Sequence, residues 1–166
     1  MTSPKSIFLT GATGLVGSYL LSQILKNPVK VFVLARANYS LNSENRIHQL
    51  LSFWDIKSYK KNKNKIVLIE GDLTQEHLGI SQNIHIRLMK EVEIVYHCAA
   101  LTKFNATYNE LKDHNIDGTT RILELCRRWL SSGQFKKLNY ISTAYIAGNH
   151  KKKFDEHDFD VNQSFV

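Results

Sequence analysis

The sequence predicts an α/β protein built on a doubly wound parallel sheet. Three observations carry that expectation. Short, continuous apolar runs recur along the chain, segments with helical spacing separate them, and the first run ends in glycines at 11, 14 and 17. Apolar runs that do not alternate with polar residues mark strands buried on both faces, as in a parallel sheet covered by helices.

Each element follows from local pattern. Residues 6–10 form a β-prone first strand, and residues 14–26 a helix whose inner side carries Leu20, Leu21, Ile24 and Leu25. Lys30 to Ala35 reads as a second strand. Ser43 to Trp54 reads as a second helix, with Ser43 a suitable N-cap because its hydroxyl can accept from an unpaired first-turn N–H. Ile66 to Ile69 is a third strand and Ile94 to His97 a fourth. A long helix covers Tyr108 to Leu130 behind the stripe Ile122, Leu125, Cys126 and Trp129. Leu138 to Ile141 is a fifth strand, after which no sixth is evident. No repeat, low-complexity segment or linker interrupts the order, so residues 1–166 are expected to be one domain.

Composition narrows the function classes. With 43% hydrophobic residues and two prolines the chain is globular. No apolar window reaches the length of a membrane span, and the Met1-Thr2-Ser3-Pro4-Lys5 start lacks a signal core, so a cytoplasmic protein is expected. The net charge of +7 gathers in Lys57–Lys65, Arg127-Arg128 and Lys151–Lys153. The first and last of these read as solvated loops, and no nucleic-acid motif accompanies them, so nucleic acid is not an expected partner. A polyanionic cofactor and an acidic carrier or coenzyme explain the charge better. Cys98 and Cys126 sit in apolar settings and read as reduced, buried thiols. No metal is expected.

The strand ends hold the chemistry. After the first strand, glycines permit a tight turn and close approach of the backbone to a ligand, and a helix N-terminus offers N–H groups and a positive dipole end. This arrangement cradles a dinucleotide pyrophosphate, with Gly11, Thr13, Gly14, Leu15, Val16 and Gly17 as its residues. The spacing is GxxGxxG and not the familiar GxGxxG. The second strand ends at Arg36, where enzymes using the cofactor without a 2′-phosphate carry an acid. A cation there pairs with a 2′-phosphate, which points to NADP(H). Arg46 can reach the same phosphate, and the bland alternative for both is a solvated surface arginine.

Asp72 and Leu73 end the third strand beside the adenine, unless Asp72 is simply a turn residue. Cys98, Ala99 and Ala100 are small enough for the backbone to run beside the nicotinamide ribose. His97 is expected to be packed and hydrogen-bonded, not a base. Asn115 either faces the site or makes a local hydrogen bond. Thr143 is the catalytic candidate, its hydroxyl donating to a carbonyl oxygen that gains charge as hydride arrives. The alternative is a strand-end cap, which would apply equally to Ser142.

Taken together, Gly11–Gly17, Arg36-Ala37, Gly71-Asp72-Leu73-Thr74 with Leu78-Gly79, His97–Ala100, Asn115–Thr119 and Ile141–Tyr145 resemble the extended short-chain dehydrogenase/reductases with a Rossmann-type fold. Within these the chain is most similar to the thioester reductases: fatty acyl-CoA reductases and the terminal reductase domains of carboxylic acid reductases and peptide synthetases. The resemblance implies NADPH reduction of an acyl thioester, on CoA or a phosphopantetheine carrier, to an aldehyde or alcohol. It also implies a YxxxK pair downstream of Thr143, and none follows. Tyr59…Lys63 and Tyr108…Lys112 fit the spacing but precede the fifth strand. The expectation is a sheet truncated after that strand, without the substrate-binding lobe, inactive as 166 residues and prone to self-association through the truncated face. Two other readings remain: a different extended reductase of the sugar-nucleotide epimerase or dehydratase type, or a non-catalytic nucleotide-binding sensor.

Overall fold

A computed structural model describes residues 4–36 and 43–165, without the side chains of residues 43 and 55–61. Five strands, β1 (Ser6–Thr10), β2 (Lys30–Ala35), β3 (Ile66–Glu70), β4 (Ile94–His97) and β5 (Lys137–Tyr140), form one parallel sheet in the order β3-β2-β1-β4-β5. Helices α1 (Leu15–Ile24), α2 (Ser43–Asn62), α3 (Gln82–Glu91), α4 (Tyr108–Leu111) and α5 (Gly118–Leu130) connect them. The predicted doubly wound sheet is what forms.

The strand pattern explains why both faces are covered. Ile7 and Leu9 of β1 and Val31 and Val33 of β2 point to one face, where they pack with Leu21 and Leu25 of α1 and Ile47 and Leu51 of α2. Phe8 and Phe32, in register with each other, point to the opposite face, with Leu88 of α3 and Ile122, Leu125 and Trp129 of α5. Phe8 meets Trp129 edge to face at 5.9 Å between ring centroids, a favoured aromatic geometry. Cys126 lies in this second layer and Cys98 borders the first, so the sheet separates the two free thiols. Cys126 is buried as expected, whereas Cys98 is only half-buried.

Three local expectations need correction. The helix from Ser43 continues past Trp54 to Asn62, so the start of the lysine-rich run is helical and not a loop. The side chain of Ser43, and with it the N-cap, lies outside the described residues. At the far end of that run, Lys65 is no solvated lysine: its Nζ donates to the carbonyls of Leu25 (2.9 Å) and Asn27 (3.0 Å), capping the exit of α1. Helix α3 fills the crossover between β3 and β4, to which the sequence pattern assigns no particular element. The long helix from Tyr108 is continuous but widens through a π-helical stretch, Lys112–Asp117, before α5.

Chain direction across the sheet locates the site. From β1 the chain steps outward through β2 to β3, then crosses back to β4 and β5 on the other side. The carboxyl ends of β1 and β4 therefore flank the point where the order reverses, which is where open α/β sheets bind ligands.

Candidate functional site

A cleft of about 200 Å³ opens at that point. It is lined by Thr10 at the end of β1, Gly11, Thr13 and Gly14 from the first turn, Arg36 just after β2, Arg46 from α2, Asp72 and Leu73 after β3, Cys98, Ala99 and Ala100 after β4, and His114 from the π-helical stretch. Ten of the predicted cofactor residues thus share one cleft, drawn from five separate segments.

The glycine turn is shaped by two close approaches. Gly11 has φ +74°, and a Cβ there would lie 2.5 Å from the Ala99 nitrogen. A side chain is thus refused by conformation and by contact. A Cβ on Gly17 would collide with the Gly11 carbonyl, its carbon only 2.6 Å away, so α1 leans directly on the turn. Leu15, Val16 and Gly17 do not line the cleft. Leu15 and Val16 are exposed on the first turn of α1, and Gly17 is buried beneath the loop.

At the other end Arg36 is exposed, and its guanidinium stands 3.5 Å from Oδ2 of Asp72. Arg46 donates to the Arg36 carbonyl at 2.9 Å, so it fixes the end of β2 as well as facing the cleft. Asp72 Oδ1 accepts from the Thr74 N–H and hydroxyl, both at 2.9 Å. Burial pushes the Asp72 carboxyl up, but the Thr74 N–H and hydroxyl and the Arg36 guanidinium together hold it below the ordinary carboxylate value. Asp72 is therefore a turn residue at Oδ1 and an ion-pair partner at Oδ2. Thr74 and His114 were not among the sequence candidates. Thr74 was legible two residues after Asp72 as the partner of an Asx turn.

Beyond β4, Asn115 resolves as a local hydrogen bonder. Its Oδ1 accepts from the Leu101 N–H (2.7 Å) and its Nδ2 donates to the Leu101 carbonyl (3.0 Å). His97 is fully buried, between Thr10 at Nδ1 (2.7 Å) and Thr119 at Nε2 (3.1 Å), and stacked on Tyr140. It is a packed histidine, as expected. Burial pushes the half-buried Cys98 thiol up to about 11, so it lines the cleft as a neutral group.

Thr143 follows β5, brought to the same edge by the Ile141 N–H donating to the His97 carbonyl at 2.9 Å. It does not line the cleft. Its side chain is exposed and its oxygen accepts from the Tyr145 N–H at 3.1 Å, capping a short 3₁₀ turn, Ala144–Ala147. The hydroxyl hydrogen is left to donate elsewhere.

The buried imidazole gives a pH signature. Burial pushes His97 from 6.5 down to about 4. In the unfolded chain it titrates near 6.5, so as pH falls the unfolded state takes the proton first. Stability from neutral His97 is full above about pH 6.5 and is lost towards pH 4, by roughly 3 kcal/mol. Denaturant midpoints measured across that window for the wild type and His97→Gln check this. Equal declines in both chains would assign the loss to other groups.

Among the described residues no helix is long and apolar enough to cross a membrane, and no cluster suits a metal ion. Comparison with known proteins agrees with the geometry. The family described as Male sterility protein, an NAD-binding family, matches residues 9–164. Fatty acyl-CoA reductase 1 of Gallus gallus is 32% identical over 154 residues, which cover 89% of this chain and 29% of that protein. Among solved structures, the terminal R domain of the myxalamid PKS-NRPS biosynthetic pathway superposes with a TM-score of 0.76 at 29% identity, covering 92% of this chain and 38% of that one. The PhqB reductase domain from Penicillium fellutanum gives a TM-score of 0.68 at 32% identity, covering 86% and 38%. The chain thus spans less than a third of the length of the chicken relative.

Proposed function

The chain belongs to the Male sterility protein family of NAD-binding domains, and from that premise we propose that it is the NADP(H)-binding part of an enzyme reducing acyl thioesters to aldehydes or alcohols. The substrate is an acyl group on CoA or on a phosphopantetheine carrier. This is supported by the similarity to a fatty acyl-CoA reductase and to two reductase domains. The observation that carries the cofactor assignment is Arg36, exposed at the rim of the cleft where a carboxylate would otherwise meet the ribose.

The residues present fit a phosphorylated dinucleotide. The turn at Gly11 and Gly14 leaves room for backbone approach, and the first N–H groups of α1, at Leu15, Val16 and Gly17, have no helical partners and suit the pyrophosphate. Gly11, Thr13 and Gly14 would hold that centre, and Arg36 with Arg46 the 2′-phosphate. Asp72 and Leu73 would border the adenine, with Asp72 Oδ2 free to accept once Arg36 turns to the phosphate. Cys98, Ala99 and Ala100 would flank the nicotinamide ribose. Bound NADPH supplies the hydride. Thr143 would donate its hydroxyl hydrogen to the carbonyl oxygen, stabilising charge that exists only in the transition state.

Calorimetry with NADPH and NADH tests the assignment. Arg36→Asp is expected to weaken NADPH binding roughly a hundredfold, because it removes a charge-assisted hydrogen bond and adds a repelling carboxylate. NADH affinity should hardly change. Equal NADPH affinity in wild type and variant removes the assigned contact, and equal affinity of the wild type for the two dinucleotides removes the NADP preference.

The 166-residue polypeptide, with no YxxxK pair after β5, is expected to bind cofactor without reducing thioesters. A cytoplasmic setting belongs to the same proposal, supported by two thiols held apart by the sheet. So does self-association, for which exposed Tyr140 at the end of β5 and exposed Tyr145, Phe159 and Phe165 later in the chain offer apolar surface. Light scattering should find a mass above the monomer that grows with concentration. A monodisperse monomer would remove this element and favour a free-standing nucleotide sensor.

A further inference from the structure

The geometry points to His97 as a positioning residue, the centre of a one-way hydrogen-bond relay that holds the loop Cys98–Leu101 against the glycine turn. The direction of each bond can be worked out from the partners. The Thr119 hydroxyl lies 2.7 Å from the Asn115 carbonyl, which can only accept, so Thr119 donates there. Its oxygen then accepts from His97, which puts the imidazole hydrogen on Nε2. Nδ1 of the neutral ring is left as an acceptor for the Thr10 hydroxyl at 2.7 Å. The Thr10 oxygen in turn accepts the Ala99 N–H at 3.3 Å. The opposite tautomer would leave the Thr10 hydrogen without an acceptor and the short Thr119–Asn115 contact without a proton.

The relay ties together three segments that meet only in the folded chain. Thr10 immediately precedes Gly11, whose missing Cβ admits Ala99. Ala99 opens the loop after β4, and the Asn115 side chain clamps that loop again at Leu101. Both anchor points lead to the π-helical stretch Lys112–Asp117. The loop is therefore held at two places by one helix, and His97 is the only side chain in the path that can exist as two tautomers.

This assignment rests on the proposed placement of the nicotinamide end beside Cys98–Ala100, so its test separates the two. Nitrogen-15 NMR of the His97 ring is expected to show hydrogen on Nε2 and an accepting Nδ1. Thr119→Val removes the acceptor and should change that signature, while weakening NADPH binding about tenfold, the effect of one well-placed hydrogen bond. Binding of 2′,5′-ADP, which lacks the nicotinamide end, should be unchanged, and Thr119→Ser should restore both ring signal and NADPH affinity. Hydrogen on Nδ1 in the wild type overturns the relay. So does a Val variant with unaltered ring signal, or one that loses 2′,5′-ADP as strongly as NADPH. If the wild type binds neither NADPH nor 2′,5′-ADP, the cofactor proposal fails, and the ring signal alone then decides the relay.

Discussion

Gly17→Ala is expected to lower NADPH affinity by about a hundredfold and the melting temperature by about 8 °C. An added Cβ would collide with the Gly11 carbonyl and lie 3.0 Å from the Ala12 nitrogen. Both neighbours are backbone, so no rotamer change relieves the clash and α1 must move away from the turn. Overpacking of this kind costs roughly 3 kcal/mol, which in a chain of this length corresponds to the stated shift. Gly14→Ala is the control. Its Cβ would meet nothing closer than the Gly11 carbonyl at 3.4 Å, so the fold should be kept and any loss of affinity assigned to crowding of the ligand. A Gly17 variant that melts and binds normally would show that α1 does not depend on this contact.

The second large effect concerns Thr143. In the proposed thioester-reducing enzyme, Thr143→Val should reduce turnover by two to three orders of magnitude and leave NADPH affinity nearly unchanged. The loss of one donor to a developing oxyanion costs roughly 3–4 kcal/mol in the transition state only. Thr143→Ser keeps the donor and should keep most of the activity. The competing role is visible in the fold, because the same oxygen caps the turn at Tyr145. Loss of a cap lowers stability by about 1 kcal/mol and leaves chemistry alone. Turnover and thermal stability measured together therefore separate the roles, and a Val variant with normal turnover would reduce Thr143 to a cap.

The strands and the glycine turn were legible because their signals are local: continuous apolar runs, and a turn that only small residues permit. Helix α3 was not. Ile84, Ile86 and Leu88 alternate with polar residues and so match a strand as well as a helix. The helix brings Ile84 and Leu88 onto the core and leaves Ile86 exposed. The π-helical stretch was illegible for another reason, since nothing in Lys112–Asp117 departs from ordinary helical composition. At the site, the residue types at the strand ends were readable by position along the chain. Their partners were not. Thr10 and His97 are 87 residues apart in sequence, and Arg36 and Asp72 are 36 apart, so only the folded sheet brings each pair together.

The exposure of Arg36 has a practical consequence. An exposed ion pair is weakened by mobile ions, because charges beyond a Debye length, roughly 8 Å at physiological ionic strength, are largely screened and a solvent-facing contact feels part of that screening. The proposed preference for the phosphorylated dinucleotide should accordingly be a graded property of the medium. It should widen in dilute buffer and narrow in concentrated salt, while the close packing of Gly11 against Ala99 holds its strength in both.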